Sequence, residues 1–160
     1  MTPLLMIGEN VAAALVARRA TVAVAEGSTG GLISAALLAV PGASAFYLGG
    51  SVIYTPRARH RLLGLRREDV RGLKSASEPY AALVADTVRQ QFGATWGLSE
   101  SGATGPNGNP YGDPAGHSCC AVAGLSARAA TIETGNGDRW GNMMAFSLAA
   151  LTLLLAVLEE

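Results

Sequence analysis

The stretch that most constrains the fold is TVAVAEGSTGGLISAALLAVPG, residues 21 to 42. Val22 to Ala25 is an apolar run of strand length that stops at Glu26. The chain then turns through Gly27, Ser28, Thr29, Gly30 and Gly31, and a small-residue helical pattern from Leu32 to Val40 runs until Pro41-Gly42 breaks it. Strand, glycine-rich turn and helix in immediate succession is an α/β arrangement. It aims free backbone N–H groups at an anion and can lift a hydroxyl out of a sheet edge, where it can serve as a nucleophile. The same residues equally suit a tight turn whose glycines and hydroxyls serve only the backbone.

The rest of the chain alternates in the same way. Leu4, Ile7, Val11, Leu15 and Val16 place one apolar face on a helix over residues 3–19. A β-rich run from Phe46 to Thr55 follows Pro41-Gly42, and Pro56 opens a short helix to Leu63. Glu68 and Asp69 suggest a second short helix over 66–73, and Ser77 caps a longer one from Glu78 to Phe92. A strand over 95–101 precedes a segment, 102–116, too rich in glycine and proline for anything but a loop. Residues 117–123 and 128–134 read as a hairpin, and 139–158 as a final helix that is apolar nearly all round. This order predicts one domain over residues 1–160, a three-layer α/β/α sandwich with a mixed sheet. A helix apolar on every side must be covered, and homo-oligomer formation is expected to cover one side of this one.

Composition removes several function classes. Hydrophobic residues are 49% and charged ones 15% of the chain, so it is neither disordered nor a charged binding arm. With twelve basic and twelve acidic residues, the formal charge is zero and no nucleic-acid partner is expected. The Arg57, Arg59, Arg61 trio suits either a phosphate contact or a solvated helix face. Residues 143–158 fall short of the roughly 20 apolar residues of a membrane span. No secretory leader is read in residues 1–10, so no membrane partner is expected. Cys119 and Cys120 are adjacent in an apolar run and read as reduced core residues, which predicts a cytoplasmic protein. No ligand spacing for a metal is present. A Ser-His-Asp arrangement has little to draw on, since His117 reads as a structural histidine and His60 as a surface one, and no G-x-S-x-G occurs.

AEGSTGGLISAALLAVPGASAFYLGGSVIYT resembles the opening of the CinA C-terminal domain family, the nicotinamide-nucleotide amidases, which reads A-E-S-C-T-G-G, V-P-G-(A/S)-S and G-G-x-x-x-Y-S-N-x-x-K. Leu62-Leu63-Gly64, Ser77-Glu78, Ser101-Gly102-Ala103-Thr104-Gly105-Pro106 and Gly137-Asp138-Arg139 continue the resemblance in family order. It implies the same sandwich fold, and hydrolysis of the amide of nicotinamide mononucleotide with release of ammonia. A hydroxyl nucleophile paired with a lysine base would do the chemistry, with neither metal nor other cofactor. The implied partner is a small nucleotide. Glu26, Thr29, Gly30, Gly31, Ser101, Gly102 and Arg139 stand at matching positions and are implied in substrate binding, as is Gly27.

Two departures touch the chemistry. Gly27 occupies the family's serine position, and Arg59 its lysine position. Glycine has no nucleophile, and a guanidinium cannot give up its proton to act as a base. Ser28 or Ser44, assisted by Tyr54 and Arg59, are the remaining catalytic candidates. The alternative is an inactive relative that binds a nucleotide or keeps only the scaffold.

Overall fold

Residues 22 to 26 are buried on both faces, as a strand in the middle of a helix-covered sheet must be. The computed structural model describes residues 1–160. It places this strand, β1 (Val22–Glu26), between β2 (Tyr47–Val52) and β3 (Trp96–Ala103), parallel to both. β4 (His117–Ala123) and β5 (Arg128–Glu133) then add on antiparallel, giving the order β2-β1-β3-β4-β5. Alternation along β1 feeds two cores. Val22 and Val24 face α1 (Pro3–Ala17), α2 (Leu32–Leu38) and α5 (Arg139–Leu158), while Ala23 and Ala25 face α4 (Glu78–Phe92) and the end of α3 (Pro56–Leu63). This is an α/β fold with a five-stranded mixed sheet between helical layers.

The helices start where their caps require. Thr55 Oγ1 accepts from Ala58 N at 3.1 Å, and Ser77 Oγ from Tyr80 N at 3.4 Å, each with a proline in the first turn. The helix expected over 66–73 does not form. Asp69 Oδ2 accepts from Arg66 N at 2.7 Å and closes a tight turn, only Glu68–Val70 is 3-10 helix, and Gly72 takes φ +79°.

The last helix is longer than its uninterrupted apolar run. At 20 residues α5 is long and apolar enough to cross a membrane by length and composition. Its inner face, including Leu151, Leu154 and Leu158, is instead buried against α1, α2 and the sheet. Asn142, wholly buried, joins α5 to the loops beside it: Nδ2 donates to Thr104 O (2.8 Å) and Asn136 O (3.0 Å), and Oδ1 accepts from Thr134 Oγ1 (2.6 Å).

Candidate functional site

Glu26, the last residue of β1, fills the turn that follows it. Its Oε1 accepts from Gly31 N (3.1 Å) and Ile33 N (2.9 Å), and its Oε2 from Ser34 N (2.9 Å). These are the orphan donors at the start of α2, so the protein's own carboxylate occupies the position expected for a ligand anion. Thr29 N donates to Glu100 Oε2 (2.9 Å), and Gly30 N turns back to Gly27 O (3.4 Å). The phosphate cradle expected from Thr29, Gly30 and Gly31 is therefore closed from within. Glu26 organises the turn from a site 1% exposed, and it does not line the pocket beside Gly27 and Ser28.

Glu100, in the middle of β3, has no counterpart in the sequence-level reading. It is 1% exposed, and four donors converge on it: Ser28 Oγ (2.5 Å) and Ser118 Oγ (2.9 Å) on Oε1, Thr29 N and Thr29 Oγ1 (both 2.9 Å) on Oε2. Burial pushes the carboxyl above the ordinary carboxylate range, and these hydrogen bonds oppose the rise. Thr29 Oγ1 also lies 2.8 Å from Glu26 Oε1 and has one proton for two carboxyl groups. In the ionised site that proton goes to one carboxylate or the other; when Glu100 takes up a proton, its O–H donates to Thr29 Oγ1 and Thr29 donates to Glu26.

Ser28 and Glu100 form part of one wall of a pocket of about 280 Å³ at the C-terminal ends of β1 and β3, where open α/β sheets bind ligands. Gly27, Tyr54, Arg59, Ser101 and Gly102 also line it, so the structure brings these candidates together. Arg59 is 9% exposed, forms no ion pair, and its buried Nε has no partner. A buried, unpaired guanidinium is costly unless an anion or developing negative charge meets it. Ser101 Oγ accepts from Ala76 N (3.1 Å), holding the chain that closes the pocket beside α4. At Gly102 an added Cβ would stand 2.6 Å from the Ser118 side chain, so glycine permits the close β3–β4 approach that brings Ser118 to Glu100. Arg139 braces the rim, donating to Gly105 O (2.6 Å) and Tyr54 Oη (3.1 Å).

Ser44 is not brought to this pocket. It is exposed on the 3-10 turn Ala43–Ala45, just before β2. β2 runs parallel to β1 and Val22 N donates to Phe46 O (2.8 Å), which puts Ser44 at the end of the sheet opposite Ser28. His117 likewise serves structure: Nε2 lies 2.7 Å from Ala76 O and Nδ1 2.5 Å from Glu133 Oε1. No three His, Cys, Asp or Glu side chains gather as metal ligands. Cys119 and Cys120 are free and buried, and burial pushes the Cys120 thiol up to about 12.

The family model of the CinA C-terminal domain matches residues 5–158. The chain belongs to this family. It is 35% identical over 158 residues to a CinA-like protein of Chlorobium phaeobacteroides, covering 95% of this chain and 37% of that protein. It is 39% identical over 151 residues to one of Anaeromyxobacter, covering 94% and 37%. The chain thus spans little more than a third of these curated relatives. A solved CinA superfamily protein of Klebsiella pneumoniae superposes with a TM-score of 0.90 at 27% identity, covering 98% of both chains. The competence/damage-inducible protein of Agrobacterium tumefaciens gives 0.90 at 25%, covering 100% of this chain and 98% of that one.

Within this CinA domain the departure at position 27 has a local reason. A Cβ on Gly27 would stand 2.9 Å from Glu100 O and 3.4 Å from Ser101 Cα, both backbone. Glu100 itself could be noticed in the sequence only as a charged residue inside an otherwise small and apolar strand, WGLSESGA.

Proposed function

We propose that this CinA domain hydrolyses the amide of a nicotinamide-nucleotide-like ligand, with Ser28 as nucleophile and Glu100 as its base. The observation that carries the reading is the 2.5 Å hydrogen bond from Ser28 Oγ to a buried carboxylate in the pocket wall. In the reaction Ser28 Oγ bonds to the amide carbon and its proton passes to Glu100. As the C–N bond breaks, Glu100 returns that proton to the leaving ammonia. Water then attacks the acyl-serine, with Glu100 accepting its proton and Ser28 regaining one. A carboxyl raised toward neutral pH is a better base than an ordinary one. Arg59 contributes a fixed positive charge, for the carbonyl oxygen as it becomes negative or for an anionic part of the ligand. No step asks it to release a proton.

Ammonia release from nicotinamide mononucleotide, with calorimetric binding on the same sample, tests this. Turnover that disappears in Ser28→Ala and Glu100→Gln supports it; turnover unaffected by both removes it. A second reading, binding without hydrolysis, is favoured by Gly27 and Arg59 at the family's serine and lysine positions, and would give a binding isotherm with no ammonia. The buried, reduced cysteines fit a cytoplasmic setting. Assembly of copies through apolar residues left exposed on α1, such as Leu5, Met6 and Val16, completes the proposal; light scattering on the purified chain checks it.

A further inference from the structure

Outside the pocket lies an open groove of about 1080 Å³, lined by Arg57, Arg59, Arg61, Arg66, Arg67 and Arg71. These are six of the twelve basic residues of a chain whose formal charge is zero. Only Arg66 is paired, with Asp69 (3.3 Å) and Glu68 (3.8 Å); the other five arginines have no acidic side chain within ion-pair distance. Arg57 and Arg61 stand four residues apart on α3, a like-charge spacing that works against the helix. Beyond the Arg66–Asp69 turn and the place of Arg61 in the last turn of α3, folding gives no reason for this concentration of charge.

The groove and the pocket are continuous, sharing Pro56, Arg59, Ser75 and Tyr111 in their walls. Arg59, buried with its Nε unpartnered, stands at the junction. At about 280 Å³ the pocket falls just below the range for ligand sites, roughly 300–1,000 Å³, and suits the head of a ligand better than the whole. One phosphate monoester carries a charge of about −1.5 to −2 at neutral pH and would balance two of the five free guanidiniums. We infer that the groove binds a second phosphate group, so that the ligand of this site carries a pyrophosphate or longer phosphate chain, as a dinucleotide or nucleoside polyphosphate does. The head enters the pocket, its first phosphate stops at Arg59, and the phosphates beyond it lie along the arginines outside. Bidentate guanidinium–phosphate pairing supplies the specificity. A small ligand is favoured over nucleic acid because the basic groove ends in a smaller pocket and the molecule has no net positive charge.

This inference rests on the pocket being a nucleotide site, yet it can be tested without a nucleoside. Inorganic tripolyphosphate and orthophosphate are titrated into the full chain by calorimetry at 150 mM salt, a concentration that screens loose surface attraction. The same titrations are run on Arg61→Gln/Arg67→Gln and on Arg57→Gln/Arg71→Gln, pairs of exposed side chains outside the proposed catalytic set. Tripolyphosphate is expected to bind at least tenfold tighter than orthophosphate and to lose at least tenfold in both double variants. Mononucleotide binding is expected to change less than twofold. Equal binding of the two anions, or tripolyphosphate binding that survives both double variants, overturns the inference. So does displacement of tripolyphosphate by a 20-base-pair duplex, which would make the groove a nucleic-acid surface. If mononucleotide neither binds nor turns over while tripolyphosphate behaves as stated, the amidase reading fails and the groove stands.

Discussion

At the scale of single residues, the site turns on a carboxylate 72 positions away in sequence from the hydroxyl it meets. If Glu100 is the base, activity requires its ionised form. The rate should therefore rise with pH through the raised Glu100 pKa, above the ordinary value of about 4.3, and fall away on the acid side. Glu100→Gln keeps an acceptor for Ser28 but cannot take its proton, so kcat should drop by about 10²–10⁴-fold with the pH dependence lost. An acid limb unchanged in that variant would rule the base assignment out. Gly27 makes the opposite point. Its family counterpart is a serine, but here the added Cβ would press on the Glu100 carbonyl. Gly27→Ser is expected to cost about 1–3 kcal/mol in urea unfolding, the usual size of a forced backbone shift. A wild-type midpoint would show that β1 and β3 separate freely. Neither fact was legible in advance. The Gly27 and Arg59 departures could be read from the sequence, but what replaces them depends on which side chains the parallel β1–β3 register sets side by side, Glu26 against Glu100.

At the scale of elements, the sequence was a good guide wherever the signal was local. Thr55-Pro56 and Ser77 with Pro79 mark helix starts through hydrogen bonds made within three residues, and α3 and α4 begin at those positions. The five glycines and three prolines of residues 102–116 likewise announced the loop after β3, although its first two residues, Gly102 and Ala103, still belong to that strand. The short helix expected over 66–73 failed because its acidic residues, helpful in a first turn, closed an Asp69 turn instead. Asn142 shows the limit most clearly. In an apolar helix it looks like an interruption, yet it is wholly buried and satisfies two carbonyls and a hydroxyl on the loops after β3 and β5. The loop after β3 carries Asn109, Pro110 and Tyr111 into the pocket wall. Asn142→Ala leaves those partners without a donor or acceptor and should cost about 2–4 kcal/mol in chemical unfolding. It should also weaken ligand binding more than Leu154→Ala, a core truncation of comparable cost at the far end of α5. Equal effects of the two on binding would show that Asn142 stabilises the fold without positioning the loop.

At the scale of the whole molecule, the buried ionisable groups act together on stability. Burial raises the Glu100 pKa. His117 is also raised: burial opposes its charge, but the Glu133 carboxylate, the Ala76 carbonyl and Asp113 outweigh it. These are the groups that face the ring, with Cys119 Sγ 3.9 Å away and Lys74 held on Asp113 at 2.8 Å. For both Glu100 and His117 the folded state binds the proton more tightly than the unfolded chain. Their contributions are complete below the unfolded pKa values and are lost as pH rises through the folded ones. Asp113 and Asp69 act in the other direction. Burial works against the Asp113 charge, but Lys74, Asn109 and His117 hold its pKa below the ordinary value; the Arg66 N–H and guanidinium do the same for Asp69. Their contributions are present above about pH 4 and lost as pH falls through the lowered values. Stability should therefore peak on the acid side of neutrality and decline as pH rises from about 6.5, where an unfolded histidine loses its proton. Urea unfolding between pH 4 and 9 checks this, and His117→Gln should flatten the alkaline decline while weakening the acid limb less, since Lys74 and Asn109 still hold the Asp113 pKa down. A stability that climbs steadily from pH 5 to 9 would mean that His117 and Glu100 do not hold their protons in the folded protein. It would also take away the raised carboxyl on which Glu100's usefulness as a base depends.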